Sequence, residues 1–242
     1  MNRPRIETYG LTDIGHIREK NDDAFKILQE DMIFILADGM GGHKAGDIAS
    51  KHAIDYLSSL LLSSLKKTSG TKEIMYHIDL AIKETNYKIF TLSKNNKELT
   101  GMGTTLCLLH LTNDMAFFAH VGDSRIYHLS NNNLSQLTKD HSLINKLKAK
   151  GLENINFKSI KNIITKAIGT NLEVIPSISH IEYSKNDLFM LCSDGLSDYI
   201  EEKDIFLALK EQPLEKICQH LIELAKFNGS TDNITCIIIK II

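Results

Sequence analysis

The chain has 242 residues, a formal net charge of −2, 43% hydrophobic and 24% charged residues, and four cysteines. At ~100–200 residues per domain, with some single domains near ~250, this length is expected to form one domain that buries a large core without disulfide or zinc staples. The balanced charge argues against a dedicated nucleic-acid binder, and no apolar run reaches the ~18–20 residues that span a bilayer.

Met1 to Gly10 has no apolar core and does not read as a signal peptide. Cys107, Cys192, Cys218 and Cys236 each sit in an apolar run with no metal-knuckle spacing, which reads as buried thiols in a reducing compartment. A cytoplasmic location is the expectation. Met32–Ala37 is the first apolar strand pattern. Ala45 to Leu61 and Glu73 to Leu92 follow with apolar residues at i, i+3, i+4 spacing, which predicts two long amphipathic helices. Thr104–Leu111, Met115–Val121 and Arg125–Leu129 are short strand patterns. Thr112-Asn113-Asp114 and Gly122-Asp123-Ser124 between them are read as hairpin turns. Leu143 to Lys161 is polar and weakly patterned, a surface excursion. Leu188–Cys192 is a further strand, Leu214–Ala225 a third helix with Pro213 at its first turn, and Asn233–Ile239 the last strand. Helices in succession followed by hairpin strands give an α+β class with antiparallel sheets.

The chemistry gathers at strand ends. Three apolar strands run into Asp38-Gly39, Gly122-Asp123 and Ser193-Asp194-Gly195, and Asp232 stands just before the final strand. A single Asp-Gly is a turn signal. Four carboxylates at the ends of buried strands converge on one rim, where they repel unless protons or cations neutralise them. Carboxylates and backbone carbonyls, without Cys or clustered His, select Mg²⁺ or Mn²⁺. A metal pair ~3.5–4 Å apart serves phosphoryl hydrolysis by activating water and clamping phosphate oxygens. Arg18-Glu19-Lys20-Asn21-Asp22-Asp23 adds acids and a guanidinium suited to a phosphate, or else forms a surface ion pair. Other phosphate chemistries fail. Asp47 stands where a phosphate-cradling loop beginning at Gly41 needs Lys. No cysteine has Arg six positions on, and no Gly-x-Ser-x-Gly elbow is present.

These segments closely resemble the metal-dependent protein phosphatases of type 2C, the PPM family, in their compact prokaryotic form. The match runs through Thr12–Gly15, Arg18–Asp23, Ala37–His43, Gly103–Leu106, Val121–Tyr127, Leu137–Ser142, Leu191–Leu196 and Asp232–Thr235, in the family's order along nearly the whole chain. The resemblance implies a central sandwich of two antiparallel β-sheets flanked by pairs of α-helices, a single domain over 1–242, and a flap at about 143–161. It implies hydrolysis of phosphoserine and phosphothreonine in proteins with two Mn²⁺ or Mg²⁺ ions. By motif position Asp38 bridges both metals, the Gly39 carbonyl binds one, Asp194 and Asp232 hold the other, and Asp22 is in or near the coordination sphere. Asp123 and Asp194 match a pair that holds a third, weakly bound ion, and Arg18 matches the group that grips the substrate phosphate. Asp22 replaces the family's usual Glu, so contact through a water is expected. Met40 stands where animal relatives have a His proposed as general acid; His43 is either its substitute or a residue that orders the next helix. His141 is expected to hold the turn before the flap.

The expected partners are phosphorylated proteins, including a cognate Ser/Thr kinase and its substrates. Nucleic acid and membrane are not expected, and the chain is expected to act as a monomer. One alternative is a catalytically weak phosphoprotein-binding adaptor of the same fold, whose signature would be lost carboxylates. Another is a metal-dependent nuclease or phosphodiesterase, which would want a basic groove; 28 Lys+Arg against 30 Asp+Glu give no hint of one.

Overall fold

A computed structural model describes residues 4–41, 45–68, 70–152, 160 and 163–242. In chain order the main elements are β1 (Ile6–Asp13), β2 (Asp23–Leu28), β3 (Ile33–Met40), α1 (Ala45–Ser64), α2 (Thr71–Asn95), β4 (Gly103–Thr104), β5 (Leu106–Leu111), β6 (Met115–Val121), β7 (Arg125–Ser130) and β8 (Asn133–Gln136). They continue with α3 (Leu143–Lys148), β9 (Ser177–Glu182), β10 (Leu188–Cys192), α4 (Asp194–Ser197), α5 (Glu202–Ala208), α6 (Leu214–Phe227) and β11 (Ile234–Ile241).

Two antiparallel sheets stack face to face. The first has the order β1-β11-β10-β7-β8; the second has β2-β3-β5-β6-β9, with β4 paired to β3. Strand alternation explains why these segments read as unbroken apolar runs: both faces are covered. Along β3, Phe34 and Leu36 join the core between the sheets, while Ile33, Ile35 and Ala37 pack on the helical side. That side is closed by Ala49, Ala53 and Leu57 of α1 and Ile78, Ile82 and Ile89 of α2. On the first sheet, Ile237 and Ile239 of β11 face inward, and Cys236 and Ile238 pack against Ile217, Leu221 and Ala225 of α6. The result is the helix–sheet–sheet–helix sandwich expected from the resemblance.

One turn differs from the sequence reading. Thr112-Asn113-Asp114 does join the paired strands β5 and β6, but Gly122-Asp123-Ser124 is not a hairpin turn. It carries the chain from β6 in the second sheet to β7 in the first. Local turn chemistry is the same in both cases; the choice of neighbouring strand is made by tertiary packing. The strand expected over Thr104–Leu111 is also broken at Thr105 into β4 and β5. Of the polar excursion from Leu143, α3 buries none of its residues, and residues 153–159 and 161 lie outside the described residues. Its base is closed by Leu143 N–H to Ile163 O at 2.7 Å and by a bridge between Ser142 and Ile164.

Candidate metal centre

Four aspartates reach one end of the sandwich from four different elements. Asp38 lies within β3, opposite Asp23 of β2 in the strand register, so it is a strand residue and not the turn residue its Asp-Gly pair suggested. Asp194 opens α4 directly after β10, Asp232 precedes β11, and Asp123 lies in the turn between the sheets. With Arg18, Asp22 and Gly39 they line a cup of about 270 Å³. A larger cleft, about 550 Å³, lies between the α1–α2 turn and the opposite end of the second sheet. Chemistry, not size, marks the site.

Backbone bonds fix the floor of the cup. Asp38 N–H donates to Thr105 Oγ1 at 3.0 Å, and its carbonyl accepts from Thr105 N–H at 2.8 Å and Thr104 Oγ1 at 2.8 Å. Gly39 N–H donates to Asp22 O at 3.1 Å. A side chain on Gly39 would meet the Gly46 carbonyl at 2.2 Å, so glycine lets β3 and the start of α1 touch. Asp22 is held by its own N–H to Asn233 Oδ1 at 2.8 Å, and its carboxylate accepts from the Asp47 N–H in the first turn of α1.

The electrostatics are those of crowded like charges. Burial, then Asp23, Asp194, Asp232 and Asp123, hold the Asp38 carboxyl well above the usual carboxylate range. Burial followed by Asp232 raises Asp194 to about 6, and burial followed by Asp194 raises Asp123 to about 7. Asp23 is the member the sequence reading passed over. Its Oδ2 accepts from Ser193 Oγ at 2.8 Å and Thr235 Oγ1 at 2.6 Å, yet burial still lifts it to about 7. Arg18 answers from the rim, its Nη2 donating to Asp232 Oδ2 at 2.7 Å with the side chain half exposed.

This donor set fits hard divalent cations. Asp23 Oδ1 and Asp194 Oδ1 are buried without a hydrogen-bond partner, and a cation would satisfy such oxygens and relieve the mutual repulsion. Among the described residues no three His, Cys, Asp or Glu side chains close on one point as a complete metal cage. Coordination would have to be shared with backbone carbonyl and water, as Mg²⁺ and Mn²⁺ sites usually are. The structure thus brings together Arg18, Asp22, Asp38, Gly39, Asp123, Asp194 and Asp232; His43 lies outside the described residues.

A two-sheet sandwich with an all-oxygen carboxylate cup and an arginine on its rim defines a metal-dependent hydrolase of phosphate esters. The sequence profile of the protein phosphatase 2C family matches residues 15–229. The serine/threonine phosphatase stp of Listeria welshimeri is 36% identical over 239 residues, which cover 95% of this chain and 93% of that protein. The S. agalactiae serine/threonine phosphatase superposes with a TM-score of 0.90 at 35% identity, covering 98% of this chain and 100% of the other. The catalytic domain of the serine/threonine protein phosphatase PstP, in complex with 2 manganese ions, superposes with a TM-score of 0.86 at 31% identity, covering 98% of each chain. The chain belongs to the protein phosphatase 2C family. Its enzyme class is protein-serine/threonine phosphatase, a hydrolase acting on phosphorylated proteins.

Proposed function

We propose that Asp38, the Gly39 carbonyl, Asp194 and Asp232 hold two divalent cations, Mn²⁺ or Mg²⁺, with Asp22 reaching them through water. When bound, such a pair supplies an acidified water and a clamp on the phosphate oxygens. The observation that carries this reading is the set of crowded carboxylates that raise one another's proton affinity, with Arg18 at the rim as the cationic side chain lining their cup among the described residues. The two manganese ions of PstP support it.

Arg18 receives the substrate phosphate. Its guanidinium is at the open edge, within reach of solvent, and its planar fork can take two phosphate oxygens. Thr104 and Thr105 keep the Asp38 backbone still while charge moves in the cup. Asp123 with Asp194 holds a third, weaker ion, and His43 is the candidate general acid. The chain acts as one domain, as a monomer in the cytoplasm, on a Ser/Thr kinase and that kinase's substrates. Among the described residues no helix is long and apolar enough to cross a membrane. An adaptor role is not favoured, because every carboxylate it would have lost is present.

Phosphopeptide hydrolysis measured with Mn²⁺ and with EDTA, beside a nucleic-acid substrate, tests the reading. Release of phosphate from the peptide alone, abolished by EDTA, is expected. Metal-independent release or nucleic-acid cleavage would overturn it.

A further inference from the structure

The Gly122-Asp123 turn is held in place by a histidine on a different segment. Gly122 has φ +104, and a Cβ there would meet Thr105 Cγ2 at 2.7 Å, so the turn is pressed against the residue that anchors Asp38. Gly122 is buried, and its N–H needs a partner. That partner is His141 Nδ1 at 3.1 Å, and His141 returns the bond by donating its own N–H to Gly122 O at 2.9 Å. A ring nitrogen that accepts carries no proton, so the proton sits on Nε2, which donates to Ser177 Oγ at 2.9 Å. Burial, then His120, keeps the ring neutral by lowering its affinity for a second proton to about 3.

His141 is itself well anchored. Its ring stacks on His120 at 4.5 Å with an 11° interplanar angle. Its carbonyl accepts from Thr165 N–H at 2.6 Å and Thr165 Oγ1 at 2.9 Å, just beyond the base of the 143–161 excursion. Next to it, Asp140 grips Arg125 at the start of β7 through Nη2 at 2.8 Å and Nε at 3.1 Å. His141 thus links three segments: its ring holds the turn between the sheets and the first residue of β9, and its carbonyl holds the base of the excursion.

We infer that His141 is a positioning residue, whose Nδ1 fixes the Gly122 amide and so aims the Asp123 carboxylate into the cup. This rests on the reading of Asp123 as the holder of a weak third cation, and it assigns the placement of that carboxylate to a side chain outside the cup. A rigid acceptor is what the task needs. A loosely held Asp123 would lose orientational freedom on binding, and weak sites feel such costs most.

Two substitutions separate the two ring nitrogens. In His141→Asn the amide oxygen lies about where Nδ1 was and can still accept from Gly122. In His141→Gln the longer chain reaches towards Ser177 instead. Each loses one ring bond, so similar thermal stabilities are expected. Calorimetric Mn²⁺ titration is expected to show weak-site affinity within ~3-fold of wild type for His141→Asn and reduced ~10-fold for His141→Gln, with the tight sites unchanged. Hydrogen exchange at the Gly122 amide should remain slow in His141→Asn and become fast in His141→Gln. Asp123→Asn is the companion variant and should abolish weak binding. If it does not, Asp123 is not a ligand, while the Gly122 exchange rates still test the histidine. Equal weak-site affinities or equal Gly122 exchange in the two histidine variants, or losses that follow stability in both, would overturn the assignment.

Discussion

Strand β10 has a carboxylate at each end, and the two live under opposite conditions. Asp187, just before its first residue, meets His128 Nε2 at 2.9 Å and the Ser184 N–H at 2.9 Å. The His128 ring lies flat on Phe189, 4.5 Å away at 11°. Asp194, just after the strand, has a buried Oδ1 with no partner and faces Asp38 and Asp232. A buried charge that is paired and hydrogen-bonded belongs to the architecture; one crowded by like charges destabilises the fold and persists for what it binds. The same strand therefore ends in structure on one side and in chemistry on the other.

The sharpest way to break this contrast is to delete one carboxylate from each end. Asp38→Ala should lower phosphopeptide turnover ~10³-fold or more, because the shared anchor for the cations is gone. In chelator its thermal stability should hold or rise, since Asp23 and Asp194 lose a repelling neighbour. Asp187→Ala should do the reverse. It leaves His128 buried without its acceptor and should cost about 2–3 kcal/mol in denaturant unfolding, with kcat per folded molecule little changed. Loss of stability in Asp38→Ala with activity intact would erase the distinction.

Arg18→Ala tests the arginine that lines the acidic end. Loss of one charge-assisted contact to phosphate should reduce kcat/KM by ~10–150-fold, mostly through KM if the contact forms equally in ground and transition states. An unchanged value in steady-state kinetics would make Arg18 only a surface partner of Asp232.

A smaller effect concerns pH. Asp23 and Asp123 are raised to about 7 and Asp194 to about 6, against ~3.9 in an unfolded chain. Between those limits the folded protein holds protons that the unfolded chain has released. In chelator the contribution of these three groups to stability should therefore be fully present below about pH 4 and be lost as pH rises through about 7. Cations bind the ionised carboxylates, so saturating Mn²⁺ should reverse the slope. Denaturant unfolding at pH 5 and pH 8, with chelator and with Mn²⁺, measures both signs.

Much of this could be read from the residues because the inner strands are buried on both faces and announce themselves as apolar runs, three of which lead into an aspartate. What escaped reading depended on partners distant in sequence. β1 is half exposed and polar, and it is a strand because Ile6 to Asp13 pair with Ile241 to Ile234 across the chain. β9, Ser177–Glu182, is an edge strand with exposed residues and no apolar signature. The crossing at Gly122-Asp123-Ser124 looks like a hairpin locally and is decided by which sheet receives β7. Asp23 stood beside Asp22 as one of two adjacent acids. Only the β2–β3 register, which sets Asp23 opposite Asp38, shows that it turns under the cup.

Mn²⁺ stoichiometry tests the central claim most directly. Calorimetric titration of wild type and Asp38→Ala, both folded by circular dichroism, should give two tight ions per chain for wild type and loss of that pair in the variant. An unaltered pair in Asp38→Ala, or no tight binding to wild type, would contradict the claim that the carboxylates at this end of the sandwich exist to hold metal.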